Sequence, residues 1–225
     1  MKTEKFLKDS CLLCGLEDEL LPVKGIDGRS YFFCEKCYLI SVAKKHFPDD
    51  QSEKARYLTH RNGIQFEGYV SFLRRAVNPA LEFIKKGGAG LDYGCGPQPT
   101  LSEILKREGY LCEDYDPFFV NHKLDREFDF IFSTEVFEHF FYPGDEIRKI
   151  RSLLVYGGIL VVMTERWENK EHFSNWYYAG DNSHVCFYHS RTFSYICGEF
   201  GFEKIFDDGQ RVVILKKTGT HYSLI

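Results

Sequence analysis

With 225 residues and a formal net charge of −4, the chain is long enough for one well-buried domain plus a small module. It carries no basic excess to advertise a nucleic-acid or anionic-membrane partner. Hydrophobic residues make up 44% and aromatics 16%, which excludes disorder, and no apolar run approaches the roughly 18 to 20 residues that span a bilayer. The charged stretch Met1 to Ser10 lacks the apolar core of a secretory signal, so a cytoplasmic location and no membrane partner are expected.

Cys11-Leu-Leu-Cys14 and Cys34-Glu-Lys-Cys37 are two C-x-x-C pairs separated by 19 residues, the spacing of a four-thiolate Zn2+ site. A two-residue spacer curls the backbone so that both sulfurs point to one centre, and Gly15 suits the tight turn after Cys14. Between the pairs, Leu20 to Val23 and Arg29 to Phe33 read as strands joined by the turn Gly25 to Gly28, a zinc-ribbon hairpin. So short a segment has little core of its own, and bound metal would supply much of its stability. The other reading is four unrelated buried thiols or two redox pairs. Four thiolates on one zinc leave no open coordination position, so the expected role is structural.

Ser52 is a candidate N-cap for a helix from Glu53 to His60 that stops at Gly63. Phe66, Tyr69, Val70, Phe72 and Leu73 have helical spacing up to Asn78, where Asn78-Pro79 predicts a restart through Ile84. Ala89-Gly-Leu-Asp92-Tyr-Gly94-Cys-Gly96 is then a strand entering a glycine turn, and Thr100 to Glu103 has the pattern of a capping box opening the next helix. Gly94 and Gly96 let the backbone approach a ligand, and the helix N-terminus offers unpaired N–H groups. Pro99 stands where a pyrophosphate-binding G-x-G-x-x-G turn has its third glycine, which disfavours a dinucleotide.

Asp92-Tyr-Gly94-Cys-Gly96 resembles the first motif of the class I S-adenosylmethionine-dependent methyltransferases. Asp116, twenty positions after Gly96 and ending the next apolar run, matches the family's ribose-binding acidic residue. Phe128 to His139 is similar to its fourth strand and the segment behind it, and a helix, the Gly157-Gly158 break and the strand Ile159 to Met163 follow in the family's order. The resemblance covers roughly residues 52 to 217. It implies an α/β fold: a Rossmann-like, mostly parallel sheet with helices on both faces and a C-terminal antiparallel hairpin, here Phe202 to Phe206 and Arg211 to Lys216. The division expected is a zinc-ribbon-like module over 1–48 and a methyltransferase domain over 49–225, with leading helices at 49–88. Carried over residue by residue, the S-adenosylmethionine contacts are Tyr57 and His60 over the methionine end, Asp92, Gly94, Cys95 and Gly96 at the turn, Asp116, Pro117 and Phe118 along ribose and adenine, and Thr134 and Glu135 after the fourth strand.

One departure is clear: only eleven residues, Pro117 to Glu127, separate the second strand from the fourth, too few for the usual helix and third strand. Phe118 and Phe119 could cover the adenine, and Asp125 could replace the missing acidic contact. Farther on, the 26-residue stretch Glu165 to Ser190 is too aromatic for disorder and reads as an acceptor-side loop able to form a lid and pocket. Within it His184 is the candidate general base, because an imidazole titrates near neutrality; Asp181, His184 and His189 are a weaker candidate metal set. Glu138-His139 reads as a corner-stabilising pair. The expected function is methyl transfer to a small-molecule or carrier-borne acceptor. The alternatives are an RNA methyltransferase whose zinc ribbon positions the RNA, which the acidic charge disfavours, and a noncatalytic module that kept the cofactor fold.

Overall fold

The computed structural model describes residues 10–17, 20–59 and 62–219. Strands β1 (Leu20–Val23), β2 (Tyr31–Cys34) and β3 (Ile40–Val42) form an antiparallel meander, with Leu20 opposite Cys34 and Tyr31 opposite Val42. The second strand starts two residues later than expected because Asp27 holds the Arg29 N–H and keeps that residue in the turn. Helix α1 (Asp50–Leu58) is capped by Asp49, whose carboxylate accepts from the Ser52 N–H at 2.8 Å, so Ser52 lies inside the helix and not at its cap. Helix α2 (Glu67–Ala80) runs through Asn78-Pro79 without the expected restart. Pro79 is the penultimate residue, where a missing N–H costs only one bond, and Leu73, Ala76, Val77 and Ala80 are buried beneath it.

The main sheet contains β4 (Ala89–Tyr93), β5 (Leu111–Tyr115), β6 (Phe128–Thr134) and β7 (Leu154–Met163), with α3 (Thr100–Arg107) between β4 and β5 and α4 (Pro143–Ser152) before β7. The near-continuous apolar runs of β6 and β7 suit parallel strands covered on both faces, whereas β5 is half exposed. The expected capping box on α3 is not made: the Thr100 hydroxyl donates to the Asn62 carbonyl, and Glu103 pairs with Arg107. Strand β7 starts at Leu154, five residues before the expected Ile159. Gly157, at φ +75°, and Gly158 lie within the strand, whose register against β6 slips between Phe128 and Phe130.

Short helix α5 (Lys170–Phe173), strand β8 (Cys186–Phe187) and helix α6 (Ser190–Phe200) precede the hairpin β9 (Phe202–Asp207) and β10 (Val212–Lys217). The six-stranded order is β5-β4-β6-β7-β10-β9, parallel through β7, with β10 antiparallel to both its neighbours. This is the mostly parallel, Rossmann-like sheet with a C-terminal hairpin. Residues 116–127 contain no strand, only a bridge between Asp116 and Val120, so β5 is the sheet edge and the chain passes directly to β6.

The segment 165–190 corrects the picture of a lid. Strand β8 pairs with β3, placing Ile40 opposite Phe187, and completes a second sheet of order β1-β2-β3-β8. Trp167, Trp176, Tyr178, Phe187 and Tyr188 are buried in one apolar cluster that runs from Cys11 and Tyr31 to Phe137 and Leu160; Tyr177 remains 65% exposed. Aromatic area of this size is stabilised by burial, not by display to solvent. Among the described residues, no helix is long and apolar enough to cross a membrane.

Candidate active site and cysteine cluster

Each C-x-x-C pair makes a knuckle closed by a backbone bond back to its first cysteine: the Gly15 N–H to the Cys11 carbonyl (2.9 Å) and the Tyr38 N–H to the Cys34 carbonyl (2.8 Å). Both closing residues have positive φ, +70° at Gly15 and +59° at Tyr38. The sulfurs of Cys11 and Cys37 lie 3.4 Å apart, those of Cys14 and Cys34 3.5 Å, and all four within 4.8 Å of one another. None is in a disulfide. Tetrahedral metal–sulfur bonds of about 2.3 Å put thiolates about 3.8 Å apart, and the cluster fits that size.

A cavity of about 560 Å³ opens at the carboxyl ends of β4, β5 and β6. Gly94 has φ +92°, and a Cβ there would come within 2.4 Å of Val136; Gly96 has φ +67°, and its Cβ would enter open space. Across the turn, Asp116 accepts from the Gly96 N–H through Oδ2 (3.0 Å) and from the Phe118 and Phe119 N–H groups through Oδ1 (2.8 and 3.2 Å). Tyr57, on α1, donates its hydroxyl to buried Glu53 at 2.5 Å and sets its ring edge-on to His139. The cavity wall includes ten of the residues anticipated for cofactor or catalysis: Tyr57, Gly94, Cys95, Gly96, Asp116, Pro117, Phe118, Thr134, Glu135 and His184. Asp92 is not on the wall. It is buried behind the turn, opposite Asp114, and burial together with the Asp114 and Asp116 charges holds its carboxyl well above the usual range. His60 lies outside the described residues. Phe119 packs against Tyr57 off the wall, and Asp125 is exposed beside Lys123.

On the other side of the cavity stand Glu138, His139 and His184. Glu138 is fully buried and accepts from Thr164 Oγ1 (2.8 Å) and the Tyr178 hydroxyl (2.5 Å). The His184 Nδ1 lies 2.8 Å from the Tyr178 carbonyl, and burial, then the neighbouring His139, lowers its pKa to about 4. Glu135, held in a left-handed conformation at φ +55°, has its pKa raised to about 8 by burial and by Glu138, against the pull of Arg211. Asp181, His184 and His189 do not converge as a metal set. Asp181 pairs with Arg56 at 2.6 Å, and the His189 side chain caps α6. Glu138-His139, a corner-stabilising pair by its sequence position, sits on a 3₁₀ turn against the cavity and lines it. Tyr93, Tyr115, Glu146 and Lys149 form a further wall with no anticipating motif.

A family model described as a methyltransferase domain matches residues 64–205. The chain belongs to this methyltransferase family. No curated protein matches it by sequence. Among solved structures, the chain is similar to the Burkholderia thailandensis 1,6-didemethyltoxoflavin-N1-methyltransferase with 1,6-didemethyltoxoflavin and S-adenosylhomocysteine bound, at 14% identity and TM-score 0.54, over 88% of this chain and 99% of that one. It is also similar to the mitomycin 7-O-methyltransferase, at 14% and 0.53 over 76% and 59% of the two chains. A third is the Synechocystis magnesium protoporphyrin IX methyltransferase with bound S-adenosylhomocysteine, at 13% and 0.51 over 78% and 98%. At these identities the likeness is one of fold.

Proposed function

We propose that the chain transfers a methyl group from S-adenosylmethionine to a small-molecule or carrier-borne acceptor. The observation that carries this reading is one cavity whose wall joins the Gly94–Gly96 turn and Asp116 on one side to Glu138, His139 and His184 on the other. Bound there, S-adenosylmethionine would supply an electrophilic methyl on sulfur. The glycine turn receives the methionine portion, because its backbone leaves open space at Gly96. Asp116, oriented by three N–H groups, keeps one lone pair, on Oδ2, for a ribose hydroxyl, and Pro117 and Phe118 would flank the adenine. Tyr57 and His60, three positions apart in the sequence, would close over the methionine end, and Cys95, Thr134 and Glu135 would complete the cofactor's contacts. Asp92 supports the turn from behind, its carboxyl held well above the usual range by burial and by Asp114 and Asp116.

Methyl transfer is an in-line displacement, so alignment and water exclusion are the protein's main tasks. The acceptor lies against His139 and His184. His184 is neutral across the physiological range and accepts a hydrogen bond from the acceptor, taking its proton as the new bond forms. The four cysteines hold one structural Zn2+ in a closed site. Calorimetry with S-adenosylmethionine and S-adenosylhomocysteine, on protein whose metal content is known, tests both parts. Micromolar or tighter binding with about one zinc per chain is the expected result; no cofactor affinity in the unmodified chain overturns the reading.

A further inference from the structure

We infer that Glu138, His139 and His184 form a second metal site, separate from the cysteine cluster, that takes a divalent first-row transition ion on the acceptor side of the cavity. One possible ligand atom from each residue lies within 4.8 Å of the others. Metal–ligand bonds of about 2.0 to 2.2 Å need ligands about 3 to 3.5 Å apart, a contraction that side-chain rotations supply.

Two further observations point the same way. The first is the hydrogen bonding of the rings. His139 Nδ1 lies 3.0 Å from the Ser183 carbonyl, and His184 Nδ1 lies 2.8 Å from the Tyr178 carbonyl. A carbonyl only accepts, so Nδ1 carries a proton in each ring, and Nε2 is the nitrogen left to bind a metal. This arrangement fixes tautomer and orientation in metal-binding histidines. Among the described residues neither histidine is hydrogen-bonded to a carboxylate, and the rings stand 4.9 Å apart at 76°.

The second observation is charge. Glu138 has no exposure, yet its two hydrogen-bond donors, Thr164 and Tyr178, are neutral, and among the described residues no lysine or arginine pairs with it. Arg211 is instead engaged by Glu135 and Glu165. A buried carboxylate without a cation is costly, and a divalent ion between Glu138 and the two imidazoles supplies the missing charge. Two nitrogens and one carboxylate suit Zn2+, Mn2+, Fe2+ or Co2+ better than the all-oxygen preference of Mg2+. The remaining coordination positions face the cavity, where they receive an acceptor oxygen or nitrogen. That last role rests on the methyltransferase reading; ion binding does not. With an ion present, His184 acts as its ligand and not as a free base.

The test is a titration of the full chain, cysteine cluster already loaded with zinc, with Mn2+, Co2+ and Zn2+ in turn, followed by calorimetry and by the Mn2+ paramagnetic resonance signal. One further equivalent per chain is expected. Glu138→Gln and His184→Ala should each weaken it at least about tenfold, with thermal melts showing the variants folded. The absence of a second equivalent for all three ions in the unmodified chain overturns the site, as does unchanged binding in both folded variants. If a variant fails to fold, the titration of the unmodified chain decides alone. Cofactor calorimetry on the same sample separates the two claims: cofactor bound without a second ion removes only this site, and a second ion without cofactor keeps the site but removes the methyltransferase reading.

Discussion

At Asp116 one buried carboxylate gathers three backbone N–H groups from both sides of the cavity floor. Asp116→Ala leaves all three donors without their acceptor, and hydrogen bonds to a charged group are among the stronger ones. The expected cost is about 2 to 4 kcal/mol in chemical denaturation, with S-adenosylmethionine affinity lowered at least about tenfold. Asp116→Asn separates the two effects. Its amide can serve Phe118 and Phe119 but presents a donor to the Gly96 N–H or loses that contact, so stability recovers more than cofactor affinity does. Asp207 yields a prediction in pH. Its partial burial opposes ionisation, but hydrogen bonds from Arg166, Lys204 and the Gly209 N–H outweigh it and hold the carboxyl well below the usual range. A depressed folded-state value means stability is fully present above the unfolded value near 3.9 and is lost as pH falls below it. Asp207→Asn should therefore lower stability at pH 7 and flatten its acid decline below about pH 4, measured by urea unfolding across pH.

Among the elements, the hairpin β1–β2 does more than carry cysteines. Arg29, at its turn, donates to the carbonyls of Ala179, Asp181, Asn182 and His184, and the Tyr31 hydroxyl donates to the Ala179 carbonyl at 3.1 Å. The cysteine-bearing hairpin thus holds the backbone that presents His184. Arg29→Lys keeps the charge but not the planar fork, and should cost about 1 to 3 kcal/mol while loosening residues 179–184 in hydrogen exchange. If the cysteine cluster holds the proposed zinc, stripping it should likewise remove exchange protection from residues 20–42 and, through the pairing of β8 with β3, from 177–187, while β4, β6 and β7 keep theirs. Protection that persists at 177–187 after metal removal would break this link.

For the molecule as a whole, the two sheets share one buried cluster, so they should unfold together. A single transition, coincident in far- and near-ultraviolet circular dichroism, is expected despite the two modules. The main sheet is intolerant at Gly90. A Cβ there would lie 2.1 Å from the Phe130 ring and 2.9 Å from the Leu111 carbonyl, so Gly90→Val should destabilise by more than about 3 kcal/mol or prevent soluble expression.

Features carried by short-range chemistry were legible in the amino-acid order. The cysteine spacing announced a four-cysteine cluster, the glycine turn and Asp116 announced the cavity floor, and the eleven residues after Asp116 announced the missing third strand. Even locally, Asp49 rather than Ser52 caps α1, and Pro79 sits inside α2, because a cap or a proline is tolerated wherever its own hydrogen-bond partners allow. What the order of residues determined was therefore the family, the element order and the cluster of sulfurs, since each depends on spacing along one strand, turn or helix. Only the tertiary structure decided that an aromatic loop becomes core and lends β8 to the cysteine-bearing sheet, and that Glu138 and His139 meet His184. Those contacts join residues about forty to one hundred and fifty positions apart, and such pairing is chosen by burial and backbone hydrogen bonding across the whole fold, which no local periodicity records.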